Sequence, residues 1–134
     1  MGRPRKENNK VTAAGANVPA LCDHLGYKAG RSPGWPRLVK MSKRQAEYEK
    51  MAPYFDAVNF ARFISCPTVI CVGFIDRTCS PSSVYAAYNV ITAPKKIVNK
   101  PLMGHACDND FYKYLNRWIA GQLGLKPAIA PIAK

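Results

Sequence analysis

The chain has 134 residues, of which 48% are hydrophobic, so it can form one modest domain with a core of its own. No apolar run is long enough to cross a bilayer, and the basic N-terminus lacks the apolar stretch of a signal peptide. We therefore expect a cytoplasmic protein without membrane association, unless the sequence is part of a longer one.

The net charge is +12, from 20 basic and 8 acidic residues, and it favours acidic partners in general. Much of the excess lies in residues 28–44, which hold bases and no acid, and in residues 1–10. We interpret the first segment as a solvated loop and the second as a disordered arm. The stretch GRPRK, residues 2–6, loosely resembles an AT-hook, which makes DNA binding through this arm one alternative function.

The start of the chain predicts little regular structure. Composition predicts a disordered arm over residues 1–15, a single domain over residues 16–124 and a flexible tail over residues 125–134. Residues 11–21 are small and apolar, which is typical of the end of a buried segment such as a short strand.

The next segments predict a loop and two short helices. Glycines and prolines over residues 24–40 favour a loop. Residues 41–52 predict a helix with Ser42 as its N-cap, and Pro53 is expected to end it. A second short helix is expected within residues 54–64.

The second half of the chain carries stronger signals. Residues 67–75, PTVICVGFI, form a continuous apolar run that is typical of a strand covered on both faces in a parallel sheet. Asp76 stands at the end of this run. Ser80 and Pro81 then suit the N-cap and the first position of a helix.

A second strand is predicted over residues 95–101, with His105 in the loop that follows it. Residues 110–123 predict an amphipathic helix, because their apolar side chains recur at spacings of three and four, and Gly124 can end it. The order of strand, helix, strand, loop and helix predicts an α/β fold with a parallel sheet.

Asp76 and His105 are the candidate catalytic residues. Functional groups in open parallel sheets gather at the carboxyl ends of strands, where both residues are predicted to lie. A carboxylate that accepts a hydrogen bond from an imidazole fixes its tautomer, and the imidazole can then accept the proton of a serine hydroxyl. In α/β-hydrolases the triad follows the chain order serine, acid, histidine, and Asp76 and His105 match the last two members.

The stretch YFDAVNFARFISCPTVICVGFIDRTCSPSSVYAAYN, residues 54–89, resembles the acetyl xylan esterase and cephalosporin-C deacetylase family, carbohydrate esterase family seven. VPALCD (residues 18–23) and PLMGH (residues 101–105) resemble the segments after the nucleophile helix and around the histidine of that family. The likeness covers about residues 16–124, most of the chain.

The resemblance implies the C-terminal part of an α/β-hydrolase domain that removes acetyl groups from small acetylated carbohydrates such as xylo-oligosaccharides. Asp76 and His105 would be its triad acid and histidine. It also implies that the protein forms homo-oligomers, since family members commonly do.

The sequence departs from the family's pattern at the nucleophile. No serine of this chain is predicted to sit on a strand-to-helix elbow, as the family's G-x-S-x-G nucleophile does, because the one match to that pattern, GRSPG at residues 30–34, falls in the predicted loop. The upstream Arg-Gly-Gln motif does not occur, and Ala106 replaces the usual glutamate after the histidine. Ser80, Ser82 and Ser83 are better explained as residues that begin a helix. We therefore expect a chain that is inactive on its own, or alternatively a non-enzymatic module for interaction or oligomerisation.

Five cysteines cannot all pair within the chain, and none has CxxC spacing. We expect no metal site, no cofactor, and reduced thiols that pack as small hydrophobic groups. A disulfide between Cys79 and Cys107 is one alternative, since each cysteine follows closely after a candidate catalytic residue.

We predict a marginally stable, aggregation-prone domain, because a parallel sheet cut partway exposes a strand edge and apolar surface. Equilibrium unfolding in urea, followed at several protein concentrations, is expected to give a broad transition that depends on concentration. A single sharp transition of ordinary stability for the monomer would contradict this expectation.

Overall fold

A computed structural model describes residues 11–37, 39, 43–106 and 108–125. The stretch that resembles an AT-hook, the expected cap Ser42, Cys107 and residues 126–134 of the expected tail lie outside the described residues. Within the described part of the chain, no helix is long and apolar enough to span a bilayer.

Three parallel strands form the sheet in the order β1-β2-β3. Strand β1 is Ala14–Asn17, β2 is Thr68–Gly73 and β3 is Lys95–Lys100. The pairing begins at Thr68, which lies beside Ala14 on one side and Lys95 on the other. The predicted α/β class with a parallel sheet is confirmed, and it is a partial sheet.

The first strand alters the expected boundary of the arm. Strand β1 begins at Ala14, inside the segment over residues 1–15 that composition assigned to the disordered arm. The Ala14 N–H donates to the carbonyl of Pro67 at 2.9 Å, so pairing with β2 orders residues whose composition alone carries no signal.

The α-helices whose bounds the described residues give are α1 (Gln45–Phe55), α2 (Ala57–Ala61), α3 (Pro81–Val90) and α4 (Asn109–Gln122), and they flank the sheet. Helix α3 begins as predicted, with Pro81 in its first turn and the Ser83 N–H donating to the Ser80 side chain. The loop expected over residues 24–40 contains a short 3₁₀ helix, Gly26–Ala29.

The expected end of the first helix was wrong. Helix α1 continues through Pro53 to Phe55, and its break comes at Asp56. Asp56 is extended and accepts the Val58 N–H at 2.9 Å, so it caps α2. The Asn59 side chain donates to the Pro53 carbonyl at 2.7 Å, which satisfies an acceptor at the helix end that has no partner within the helix.

The core lies on both faces of β2, every residue of which is buried. Successive side chains of a strand point to opposite faces. Ile70 and Val72 therefore join the cluster that includes Val84 of α3, whereas Val69 and Cys71 join the cluster of α4. Because helices cover this strand on both faces, its sequence is a continuous apolar run.

The edge of the sheet that β1 forms is open. Among the described residues, β1 pairs with β2 alone. Beside it lies an apolar groove of about 260 Å³ lined by residues of β1, β2, α2 and α3. Phe60 and Phe63 nearby are 60% and 58% exposed.

The basic segment is not a run of free charges. Lys28 pairs with Glu49, and Arg31 forms an ion pair of 2.8 Å with Asp23. Glu49 also accepts a hydrogen bond from the Tyr27 hydroxyl. The Lys28 and Tyr27 hydrogen bonds lower the pKa of Glu49 to about 2, so this carboxylate joins the 3₁₀ helix to α1.

A stability contribution from Glu49 should depend on pH. Its folded pKa lies below the ordinary value of 4.5, so the contribution is present above that value and lost as pH falls toward about 2. The midpoint of thermal unfolding, measured across this range, should fall less steeply in Glu49→Gln than in the parent chain. Glu47→Gln, which alters a 62% exposed carboxylate on the same helix, is the matched control and should follow the parent curve.

Candidate functional site

The carboxylate of Asp76 is held rigidly just beyond the end of β2. Its side chain is fully covered from solvent. The Oδ1 atom accepts the backbone N–H groups of Thr78 at 2.7 Å and Cys79 at 3.0 Å. These bonds leave Oδ2 for a partner from elsewhere in the chain.

That partner is His105, in the loop after β3. Its Nδ1 lies 3.0 Å from Oδ2 of Asp76, and its side chain is 48% exposed. With Nδ1 donating to the carboxylate, Nε2 is left as the acceptor on the solvent side. The structure therefore brings together the two residues that the sequence selected, 29 positions apart.

Backbone contacts fix the histidine loop against the end of β2. The Phe74 N–H donates to the Lys100 carbonyl at 3.1 Å, and the Ile75 N–H donates to the Met103 carbonyl at 3.2 Å. A Cβ on Gly73 would meet the Met103 oxygen at 2.4 Å. Only glycine at this position permits the two backbone segments to approach so closely.

Asn17, at the end of β1, is a site residue that the sequence reasoning missed. Its side-chain amide donates to the Ala106 carbonyl at 3.0 Å, directly after the histidine. Its Oδ1 is buried and has no hydrogen-bond partner among the residues that the structure describes. A polar residue that closes an apolar strand is the signal that could have identified it.

An open depression of about 460 Å³ adjoins the histidine. It is lined by the C-terminal end of β1, by the loop that holds His105, by Cys79 and by the residues Trp35 and Tyr112. Trp35 is 56% exposed and Tyr112 is 39% exposed, so both rings are accessible from the depression.

The serines at the start of α3 bond to backbone atoms. The Ser80 hydroxyl donates to the Ser32 carbonyl at 2.6 Å, and the Ser83 hydroxyl donates to the Ser80 carbonyl at 2.8 Å. In the described part of the chain, no serine hydroxyl is hydrogen-bonded to His105. These contacts agree with their interpretation as helix-start residues.

The described cysteines Cys22, Cys66, Cys71 and Cys79 are free thiols. Burial, with a smaller contribution from the Asp56 charge, raises the pKa of Cys22 to about 12. Burial also raises the pKa values of Cys71 and Cys79. Protonated buried thiols pack as small hydrophobic groups, as the sequence predicted for them.

The family model for acetyl xylan esterases matches residues 8–121. The acetyl esterase Axe7A of Xylanibacter ruminicola is 42% identical over 98 residues, which cover 72% of this chain and 22% of that protein. Acetyl xylan esterase 1 from Thermoanaerobacterium sp. JW/SL YS485 is similar in structure, with a TM-score of 0.67 and 26% identity over 82% of this chain and 38% of that one.

The acetyl xylan esterase from Paenibacillus sp. R4 has the same fold over 85% of this chain, with a TM-score of 0.70 and 23% identity. The matched part is 39% of that chain. This chain thus spans about a fifth of the curated relative and well under half of the solved structures.

Gly73→Ala should displace the histidine loop, because its methyl group would overlap backbone atoms that cannot rotate away. We expect a loss of roughly 1–3 kcal/mol in the free energy of unfolding, as for other overpacked sites. The fraction of His105 protonated at Nδ1, measured from the ring ¹⁵N shifts, should fall as well.

Gly121→Ala is the matched control, since its methyl group would meet no atom within 4 Å. Replacing a helical glycine by alanine should stabilise the chain by roughly 0.5–1 kcal/mol and leave the ring shifts unchanged. Equal ring shifts in the two variants would show that Gly73 does not position the loop.

Proposed function

Since this chain belongs to the acetyl xylan esterase family, we propose that Asp76 and His105 are the acid and the general base of a serine esterase. The substrate class we propose is small acetylated carbohydrates such as acetylated xylo-oligosaccharides. The observation that carries the proposal is the 3.0 Å contact between a fully covered carboxylate and a half-exposed imidazole.

In the proposed reaction, Nε2 of His105 accepts the proton of a serine hydroxyl as the serine oxygen attacks the acetyl carbonyl. Asp76 stabilises the imidazolium that forms. The proton then passes to the departing sugar oxygen, which leaves an acetyl-serine ester. Water, activated by the same imidazole, releases acetate and restores the serine.

We propose that the serine comes from outside this sequence. The one match to G-x-S-x-G, residues 30–34, lies in a loop, and the Ser32 hydroxyl there accepts a hydrogen bond from Arg37 at 3.4 Å. We propose that the chain contributes two of the three triad residues and is inactive without the segment that supplies the third. The amide after that serine would also contribute to the oxyanion hole.

The depression beside His105 is the proposed location of the substrate. Trp35 and Tyr112 offer exposed ring faces there, and Asn17 offers a polar group at the end of β1. A pocket of mostly apolar surface with a few polar groups is typical of small-ligand sites.

A second candidate function is that of an interaction or oligomerisation module. It is favoured by the open edge of β1 and by the exposed rings of Phe60 and Phe63. Exposed apolar surface of this kind marks interfaces in many proteins. A clean monomer in size-exclusion chromatography at micromolar concentration would count against it.

The esterase proposal can be tested with p-nitrophenyl acetate. The chain alone should show no hydrolysis above background. A chimera in which residues 11–125 replace the matching part of the Thermoanaerobacterium enzyme has a serine segment, and it should hydrolyse the ester. In this chimera, His105→Ala should lower kcat by about 10⁶-fold and Asp76→Asn by about 10⁴-fold, as loss of the triad histidine or acid does elsewhere.

Asp110→Asn is the control, because it changes a carboxylate that is 83% exposed on α4. It should leave kcat unchanged. A chimera that stays fully active without His105 would exclude the proposed base, and turnover by the isolated chain that requires His105 would refute the need for an added serine.

A further inference from the structure

A third donor atom lies next to the Asp76–His105 pair. Cys79 is 1% exposed and is one of the residues that line the depression beside the histidine. One ligand atom each from Asp76, Cys79 and His105 lies within 4.8 Å of the other two. The esterase chemistry proposed above gives this sulfur no role.

The three atoms are a carboxylate oxygen, a thiol sulfur and an imidazole nitrogen, and this combination favours zinc over magnesium and calcium. Zinc binds thiolate, imidazole and carboxylate ligands, commonly with tetrahedral geometry. Magnesium and calcium prefer oxygen ligands, so a site with a thiolate and an imidazole disfavours them. Three protein ligands leave one position of a tetrahedron for solvent, and two of the three residues, Cys79 and His105, line the open depression.

Two of the donors are already fixed relative to each other. The Asp76 carboxylate accepts the backbone N–H of Cys79 at 3.0 Å, so the carboxylate and the thiol share one tight turn. His105 is the adjustable ligand, since its side chain is half exposed. Zinc ligands at bond lengths of about 2.0–2.3 Å lie roughly 3.5 Å apart, so the three atoms, now within 4.8 Å, must approach one another when the ion binds.

We propose that Asp76, Cys79 and His105 bind a zinc ion, with solvent as the fourth ligand. The ion replaces the hydrogen bond between Asp76 and His105, and the Cys79 thiol releases its proton to solvent. Zinc and serine activation therefore compete for the same imidazole. Binding of zinc by the isolated chain does not depend on the esterase proposal, because it requires no serine.

Cobalt(II) is the probe, because a cobalt–thiolate bond gives an intense charge-transfer absorption in the near ultraviolet. The metal-free chain should bind one equivalent of cobalt with this absorption, and zinc should displace it. Cys79→Ser should abolish the band. His105→Ala should weaken zinc binding by at least about 10-fold, since even the loss of a supporting outer-shell group has such an effect.

A matched control identifies the sulfur. Cys66→Ser changes a free thiol that precedes β2, at the opposite end of that strand. This variant should keep the band. Circular dichroism of each variant checks that the fold is retained, and His105→Ala keeps the test valid if Cys79→Ser does not fold.

Cobalt binding without the thiolate band would overturn the inference, as would a band that survives Cys79→Ser or disappears in Cys66→Ser. The outcome is independent of the chimera experiment. A chimera that is active while the chain binds no zinc would leave the esterase proposal standing and remove the metal site. An inactive chimera, with zinc binding by the chain, would leave the metal site standing and remove the esterase proposal.

Discussion

The candidate site depends on the parallel pairing of β2 with β3, which places Asp76 and the His105 loop at one edge of the sheet. The backbone of that loop approaches so closely that a Cβ on Gly73 would lie 2.4 Å from the Met103 oxygen. The absence of a side chain at this position therefore permits the close approach of the loop that carries the imidazole. The amide groups of Thr78 and Cys79 then fix the direction in which the carboxylate points.

The same sheet explains the exposed apolar surface. Strand β2 has cover on both faces, whereas β1 has a partner on one side only among the described residues. The solved relatives extend well beyond the part that this chain matches. The groove beside β1 and the exposed rings of Phe60 and Phe63 form the apolar surface near this edge. Removing this surface from water would stabilise the fold at roughly 25 cal/mol per Å² of apolar area.

The turn after β1 shows how tertiary contacts can override local preference. Val18, Leu21 and Asp23 have positive φ values of 41°, 59° and 56°, which non-glycine residues seldom adopt. Asp56 holds this turn by accepting the backbone N–H groups of Asp23 and His24 at 3.0 and 2.8 Å. One carboxylate thus caps α2 and braces a strained segment more than 30 positions away.

The sequence by itself determined β2, the start of α3 and the amphipathic helix α4. It also identified Asp76 and His105 as the candidate residues of the site. Each of these has a local sequence pattern: a continuous apolar run, a serine followed by proline, apolar residues at helical spacing, and a polar residue after a strand. Only the tertiary structure decided that Asn17 supports the histidine loop, that Cys79 lies beside the pair and that α1 continues past Pro53. Those features depend on strand register and on contacts between distant segments, and no local pattern of side chains encodes such distances.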